Sequence, residues 1–156
     1  MTSTKQAAVT FLASRRIAVT GVSRRPQGHG GNTVYTRLRD RGYEVFAVNP
    51  NADEVEGDRS YHSLRDITGG VDAVVIATRP DAAEITMHEC VDLGITQTWM
   101  HRAFGTGSVN DLATAYGREH GVTVIDGGCP LMFEPVSDLG HKIIKRICSR
   151  KIPRTV

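Results

Sequence analysis

The stretch that most constrains the fold is VDAVVIAT, residues 71–78. After Asp72 it carries no charge, is rich in β-branched residues, and is continuously apolar rather than alternating. Such a strand is expected where helices cover both faces of its sheet. The stretch therefore predicts a buried strand in a sheet that lies between two layers of helices.

Other short apolar runs alternate with helix-length segments along the chain. Strands are predicted at RIAVTG, YEVFAVNP, TQTWMH and VTVID, while RSYHSLRDI predicts a short strand or turn followed by one helical turn. Strands that alternate with helices indicate crossover connections between parallel strands. The predicted fold class is a single α/β domain with a doubly wound, mainly parallel sheet and helices on both faces.

Cap residues and apolar spacing set the limits of the predicted helices. The predicted N-terminal caps are Asn32, Asp81 with Glu84 three residues later, and Ser108, and the predicted ends are Gly42, Gly94 and Gly121. In the last helix, one apolar face is predicted to contain Val136, Leu139, Ile143 and Ile147.

The length of 156 residues suits one domain with one sizeable core. Residues 1–16 are predicted to form an N-terminal arm or helix, residues 17–150 the domain, and residues 151–156 a C-terminal tail. The formal net charge of +2 is too small to indicate nucleic acid or a membrane surface as a partner. No apolar run approaches the length that crosses a membrane.

The cysteines also indicate where the protein works. Cys90, Cys129 and Cys148 are odd in number and far apart in sequence. This pattern favours free thiols in a reducing compartment over a disulfide framework, and so predicts a cytoplasmic protein. No cysteine–histidine spacing is typical of a metal site.

A glycine-rich loop follows the first predicted strand and precedes a helix. Its glycines would let the backbone approach a ligand closely, and the helix would direct N–H groups and the positive end of its dipole to an anion. Ser23 would add a hydroxyl donor, and Arg24 and Arg25 would clamp a phosphate. The glycines are Gly21, Gly28, Gly30 and Gly31. The alternative is a flexible surface loop with solvated arginines.

Dinucleotides are disfavoured at this loop. The G-x-G-x-x-G spacing is missing, and the second strand ends in AVNPN, with Asn49 and Asn51 where a carboxylate would bind the ribose. An NADP-like ligand stays open, because Arg24 and Arg25 would accept its 2′-phosphate. No G-K-[ST] follows the glycines, so a P-loop is not predicted.

Five segments occur in a fixed order that resembles the single-domain coenzyme A-binding proteins. They are TGVSRRPQGHGGN, FAVNPNADEVEG, SYHSLRDI, VDAVVIATRP and GGCP, and together they cover roughly residues 17–130. These proteins are similar to the N-terminal domain of the α subunit of succinyl-CoA synthetase. The resemblance implies a Rossmann-like domain over residues 17–150 that binds coenzyme A (CoA).

The resemblance also implies which residues contact CoA. It assigns Gly21, Val22, Ser23 and Arg24 to the pyrophosphate, Asn49 and Pro50 to the adenosine, and Arg79 and Pro80 to the adenine. A ribose with a 3′-phosphate presents no diol, which agrees with the missing carboxylate. Gly30 and Arg25 belong to the same predicted loop.

The sequence departs from the family pattern at two places. Asn51 stands where family members often have a lysine, so Arg24 or Arg25 would supply that positive charge. The segment WMHRAFGTGSVN also differs from the family pattern. It places His101 and Arg102 at the end of a strand, where Arg102 would be an additional phosphate partner.

Cys129 is the candidate catalytic residue. A thiol at the end of the last strand would attack a thioester or form a mixed disulfide with CoA, activated by His29 or His101. The alternative, a small buried side chain before a proline turn, is favoured. The predicted function is therefore a non-catalytic CoA- or acyl-CoA-binding or regulatory module. An NADP-type oxidoreductase, an exchange enzyme using Cys129, and a homodimer or protein partner stay open.

Overall fold

The computed structural model describes residues 1–148 and 152–156, with strands and helices in alternation. Its helices are α1 (Thr4–Leu12), α2 (Gly30–Asp40), α3 (Pro80–Asp92), α4 (Asp111–Glu119) and α5 (Leu139–Ile147). Its strands are β1 (Arg16–Thr20), β2 (Glu44–Val48), β3 (Glu54–Val55), β4 (Asp58–Tyr61), β5 (Ala73–Ile76), β6 (Gln97–Met100) and β7 (Thr123–Asp126). Short 3-10 turns occupy Leu64–Asp66 and Pro130–Met132.

The sheet has the strand order β3-β4-β2-β1-β5-β6-β7. All pairs are parallel except the edge pair β3–β4. The chain runs outward from β1 in one direction through β2 and in the other through β5, so the strand order reverses beside β1. The predicted α/β class, with a doubly wound, mainly parallel, Rossmann-like sheet, is confirmed.

Apolar side chains fill the space on both faces of the sheet. Along β5, Val75 joins the core cluster that contains Phe11 and Trp99, while Val74 and Ile76 join the opposite cluster. Phe11 meets the Trp99 ring edge-on, with centroids 5.4 Å apart. The uninterrupted apolar run in β5 therefore has the predicted cause, since each of its faces is buried.

The predicted N-terminal caps are wrong at three helices. His29 precedes α2, so Asn32 lies within the first turn of the helix. Asn110, rather than Ser108, caps α4 with its side chain. Arg79 precedes α3 and Pro80 is its first residue, because proline presets the backbone angle of a first helical turn. Asp81 and Glu84 therefore form no capping box.

The short edge strand β3 was not predicted. It forms a two-residue hairpin with β4, in which Glu54 pairs with Arg59 and Val55 with Asp58. Glu56 and Gly57 both adopt positive φ, which suits a tight two-residue turn. A pairing of two residues is too short to produce a recognisable alternation in the sequence.

The last helix differs from its prediction. Val136 lies before α5 and is buried, whereas Leu139, Ile143 and Ile147 form an exposed stripe. Helix α5 instead turns Ile144 toward the main core cluster. Periodicity placed Leu139, Ile143 and Ile147 on one face, but it did not show where the helix begins or whether another element covers that face.

The two ends of the chain pair with each other. The Val156 N–H donates to the Thr2 carbonyl at 3.0 Å, and the Thr4 N–H donates to the Arg154 carbonyl at 3.1 Å. Residues 152–156 therefore lie against the N-terminus. The predicted boundary between residues 150 and 151 falls outside the described residues, and the domain limits stay a prediction.

No helix within residues 1–148 or 152–156 has the length and apolar character needed to cross a membrane.

Candidate functional site

The carboxyl ends of the parallel strands meet at one edge of the sheet, beside the start of α2. The order reverses there between β1 and β5. In doubly wound sheets, ligands bind in the crevice outside such a reversal. The candidate site is therefore this edge, which contains the predicted glycine-rich loop.

The turn from β1 into α2 passes very close to the end of β5. Gly21 has a φ of +74°, and a Cβ built on it would lie 2.4 Å from the Ala77 carbonyl oxygen. A Cβ on Gly31 would lie 2.9 Å from the Gly21 carbonyl oxygen. Both positions need glycine, because the obstructing atoms belong to the backbone and cannot rotate away.

Asn32 holds the loop in shape from inside α2. Its Oδ1 accepts the Ser23 N–H at 2.8 Å, and its Nδ2 donates to the Ser23 carbonyl at 2.8 Å. Nδ2 also donates to the Glu56 carboxylate at 2.7 Å. Asn32 is buried, so these bonds replace the water that Ser23 would otherwise bind. The sequence analysis missed this role, since it interpreted Asn32 as a cap.

Asn49 ties the end of β2 to the same loop. Its Nδ2 donates to the Val22 carbonyl at 2.9 Å, and its Oδ1 accepts the Asn51 N–H at 2.8 Å. The Gly21 N–H also donates to the Val48 carbonyl at 3.2 Å. Asn49 stands where dinucleotide-binding proteins have a ribose-binding carboxylate, and here it has a structural role. A carboxylate could not take over this role, because it cannot donate a hydrogen bond to the Val22 carbonyl.

Two helices begin at this edge without a side-chain cap. Ser3, Asn110 and Asp138 accept N–H bonds at the starts of α1, α4 and α5. His29 and Arg79, which precede α2 and α3, make no side-chain cap hydrogen bond. The first N–H groups of α2 are therefore available to an anion, and the helix dipole favours one.

A cavity of about 500 Å³ lies beside these two helix starts. Its wall is built by the α2 start, the segments that follow β5 and β6, and the inner face of α5. The polar or reactive side chains among its lining residues are His29, Thr33, Thr78, Arg79, His101, Ser108, Cys129 and His141. Phe104 is exposed at its margin and adds an apolar surface.

Thr78 is an unsatisfied polar residue of this wall. Its hydroxyl oxygen is buried and has no hydrogen-bond partner among the described residues. Buried hydroxyls in native proteins are nearly always bonded, and an exception calls for an explanation such as a missing ligand or water. Thr78 lies in the VDAVVIATRP segment, directly before the predicted site residue Arg79, but no role was predicted for it.

His101 packs directly on the start of α2. Its ring carbon Cε1 lies 2.5 Å from where a Cβ on Gly30 would be, so any larger residue at position 30 would force the imidazole to shift. Burial, and secondarily the nearby His141, lower the pKa of His101 to about 4. His141 in turn lies 2.8 Å from the Asp138 carboxylate. The His101 imidazole is therefore neutral near pH 7 and is a weak base.

Cys129 lines the cavity but is only 1% exposed. Burial raises the pKa of its thiol to about 12, against a smaller opposing effect from a hydrogen bond with the Leu131 backbone. A thiol with this pKa is almost wholly protonated near pH 7, whereas nucleophilic attack requires the thiolate. The environment agrees with the structural interpretation of Cys129.

The predicted site residues fall into three groups. Gly30, Arg79 and His101 line the cavity, as does the candidate nucleophile Cys129. Gly21, Val22, Ser23 and Asn49 build the turn that supports it. The third group neither lines the cavity nor builds the turn. In it, Arg24, Arg25 and Pro50 are exposed, and Pro80 is the first residue of α3. The backbone N–H of Arg102 donates to the Gly128 carbonyl. Asn32, Thr78 and His141 are the residues that the sequence analysis missed.

Sequence comparisons place this fold among known proteins. Protein YneT of Bacillus subtilis, an uncharacterized protein, is 34% identical over 116 residues, which cover 74% of this chain and 82% of that protein. The alpha subunit of ADP-forming acetate–CoA ligase II of Pyrococcus furiosus is 34% identical over 86 residues. That match covers 54% of this chain but only 19% of the ligase subunit.

Solved structures show the same architecture. Prb, a redesigned form of protein PH1109, has a TM-score of 0.75 at 24% identity and covers 86% of this chain and 93% of its own. A conserved hypothetical protein of Pyrococcus furiosus has a TM-score of 0.61 at 32% identity and covers 70% of this chain and 90% of its own. The model of a family described as the CoA binding domain matches residues 15–135. The chain therefore belongs to the CoA binding domain family.

Proposed function

We propose that this protein binds CoA or an acyl-CoA at the carboxyl edge of its sheet, as a non-catalytic binding or regulatory module. The observation that carries the proposal is the pair of helix starts without side-chain caps beside one cavity. Family membership supplies the ligand class, and the open N–H groups of α2 suit its pyrophosphate.

The residues around the site fit this ligand. The proposal assigns Gly21, Val22, Ser23 and Arg24 to the pyrophosphate, with Arg25 beside it. Asn49 and Pro50 would border the adenosine, Arg79 and Pro80 the adenine, and Arg102 a further phosphate. The uncharged pantetheine arm would enter the cavity past Gly30 and His101, where the Thr78 hydroxyl has no partner among the residues that the structure describes.

The uncharged states of His101 and Cys129 support binding over catalysis. His101 is held uncharged by burial, and the Cys129 thiol is held protonated. An exchange enzyme would need a thiolate with a base positioned to form it. The NADP alternative gains no support from β2, because the side chain of Asn49 is engaged by Val22 and Asn51.

Calorimetric titration of CoA, dephospho-CoA and NADP tests the proposal. We expect CoA to bind most tightly, and dephospho-CoA about tenfold more weakly, since one charge-assisted phosphate contact contributes about 1.5–3 kcal/mol when well formed and less when exposed. Tighter binding of NADP than of CoA would overturn the proposal.

A paired variant then tests the arginine assignment. The double variant Arg24→Gln, Arg25→Gln should lower the affinity for CoA and for dephospho-CoA by the same factor of about ten, because both ligands carry the pyrophosphate. Arg15→Gln is the matched control, since Arg15 lies at the opposite end of β1. A loss confined to CoA would assign these arginines to the 3′-phosphate instead.

Cys129→Ala separates binding from catalysis. We expect CoA affinity to change by less than about threefold, because the thiol is buried and uncharged and contributes no charged contact. Acyl-CoA turnover, followed by free-thiol release, should be absent from both proteins. Turnover by the parent protein that disappears in Cys129→Ala would support the exchange-enzyme alternative.

A further inference from the structure

A second cavity lies between α1 and the outer part of α5. Its volume is about 300 Å³, and it shares no lining residue with the cavity beside α2. We call it the lysine groove, and define it by Lys5, Val9, Met132, Phe133, Lys142 and Lys145. None of these residues belongs to the proposed CoA site.

The floor of the lysine groove is apolar and firmly held. Met132 and Phe133 are buried members of the main core cluster, and Ala8 beside them is also buried. Val9 is half exposed and presents its side chain at the mouth of the groove. Among the apolar lining residues, Val9 therefore presents most of the exposed surface that would contact the hydrocarbon part of a ligand.

Three lysines and one carboxylate, that of Glu134, line the groove, so its net charge is positive. Lys142 is paired with the Glu134 carboxylate at 2.8 Å. The Lys145 ammonium lies 3.8 Å from the centroid of the Phe133 ring, and neither Lys5 nor Lys145 has an ion-pair partner among the described residues. Burial chiefly, and then the charge of Lys5, lower the pKa of Lys145, whereas the nearby Glu134 carboxylate raises it. Glu134 therefore offsets the repulsion between the Lys5 and Lys145 ammonium groups only in part. An anion between them would relieve this repulsion.

We propose that the lysine groove binds a small amphiphilic monocarboxylate, with its carboxylate between Lys5 and Lys145 and its hydrocarbon tail on Val9 and Phe133. Charge complementarity selects an anion, and the apolar floor selects one with a tail. The volume is at the lower end of the range of about 300–1,000 Å³ for small-molecule sites, which suits a medium-chain acid.

The groove and the proposed CoA site share α5 as a wall. Lys142 and Lys145 face the groove, whereas His141 and Ile144 of the same helix line the cavity beside α2. The proposal does not depend on CoA binding, and it is tested in the absence of CoA.

Octanoate is the probe, and ¹⁵N–¹H spectra of the full chain report where it binds. We expect saturable shifts at Val9 and Phe133, with none at Gly30 and Ala103 of the other cavity. Octylammonium has the same tail and the opposite charge, so it should cause no saturable shift at these positions, and acetate should bind at least about tenfold more weakly. Equal binding of octanoate and octylammonium, or octanoate shifts centred on Gly30, would overturn the proposal.

Variants on the groove make the assignment specific. The double variant Lys5→Gln, Lys145→Gln should lower the affinity for octanoate about tenfold. Val9→Asp should abolish octanoate binding, because it places a carboxylate in the groove. Arg146→Gln is the control, because Arg146 belongs to the same helix and does not line the groove. Thermal melting checks that each variant is folded. Unchanged affinity in both groove variants would refute the site, whereas CoA titration of the same proteins tests the other cavity separately.

Discussion

Gly21→Ala is expected to lower the free energy of unfolding by about 2–5 kcal/mol. The left-handed backbone costs about 1–2 kcal/mol for a residue with a Cβ, and overpacking adds about 1–3 kcal/mol. The added Cβ would lie 2.4 Å from the Ala77 carbonyl oxygen and 2.9 Å from the Thr78 nitrogen. For a domain of this size, each kcal/mol lowers the melting temperature by about 2–4 °C, so calorimetry should detect the change clearly.

Gly42→Ala is the matched control for this variant. Gly42 has a φ of +84°, close to that of Gly21, but no atom of the described chain lies within 4 Å of a Cβ built on it. Gly42→Ala should therefore lower the free energy of unfolding only by the conformational cost of a left-handed residue, about 1–2 kcal/mol. Equal losses in the two variants would mean that the close approach of the β1–α2 turn to β5 contributes nothing. A larger loss at Gly21 would establish that this contact limits the position to glycine.

Asn32→Leu is expected to reduce both stability and CoA affinity. Removing the amide leaves the Ser23 N–H and carbonyl without their bonds to Asn32. A buried group left unpaired costs about 1–3 kcal/mol, and the partly buried Ser23 groups should each cost an amount near the lower limit. The loop then loses the shape in which it would meet the pyrophosphate. A free-energy loss of 1.4 kcal/mol corresponds to about a tenfold weaker affinity, so we expect at least a tenfold loss by calorimetry.

Val122→Ala distinguishes this effect from general destabilisation. Val122 is buried in the other core cluster, and its truncation should cost about 2 kcal/mol of stability. The CoA affinity of the Val122→Ala variant should match that of the parent protein at a temperature where both proteins are folded. If Asn32→Leu also retained full affinity, the hydrogen bonds to Ser23 would be structural only, and the proposed role of the loop would be wrong.

Residues that act through local backbone geometry could be predicted from the sequence. Gly21 follows a buried strand directly and precedes a helix, so the need for a tight turn there follows from chain connectivity. The resemblance to CoA-binding proteins rested on several motifs in a fixed order, and family membership is now shown. The exact helix starts were predicted poorly, because both predicted cap residues have other surroundings. The Asn32 side chain bonds to Ser23, and Ser108 is buried.

The sequence by itself determined the alternation of strands and helices, the two-sided burial of β5 and the position of the glycine-rich loop. These follow from periodicity and chain connectivity, which are local properties. Only the tertiary structure decided that Thr78, Cys129 and His141 share one cavity, that Asn32 supports Ser23, and that the apolar stripe of α5 remains exposed. Each of these depends on which distant segment packs against a given face, and that is decided by the fit of the folded elements rather than by the spacing of residues along the chain.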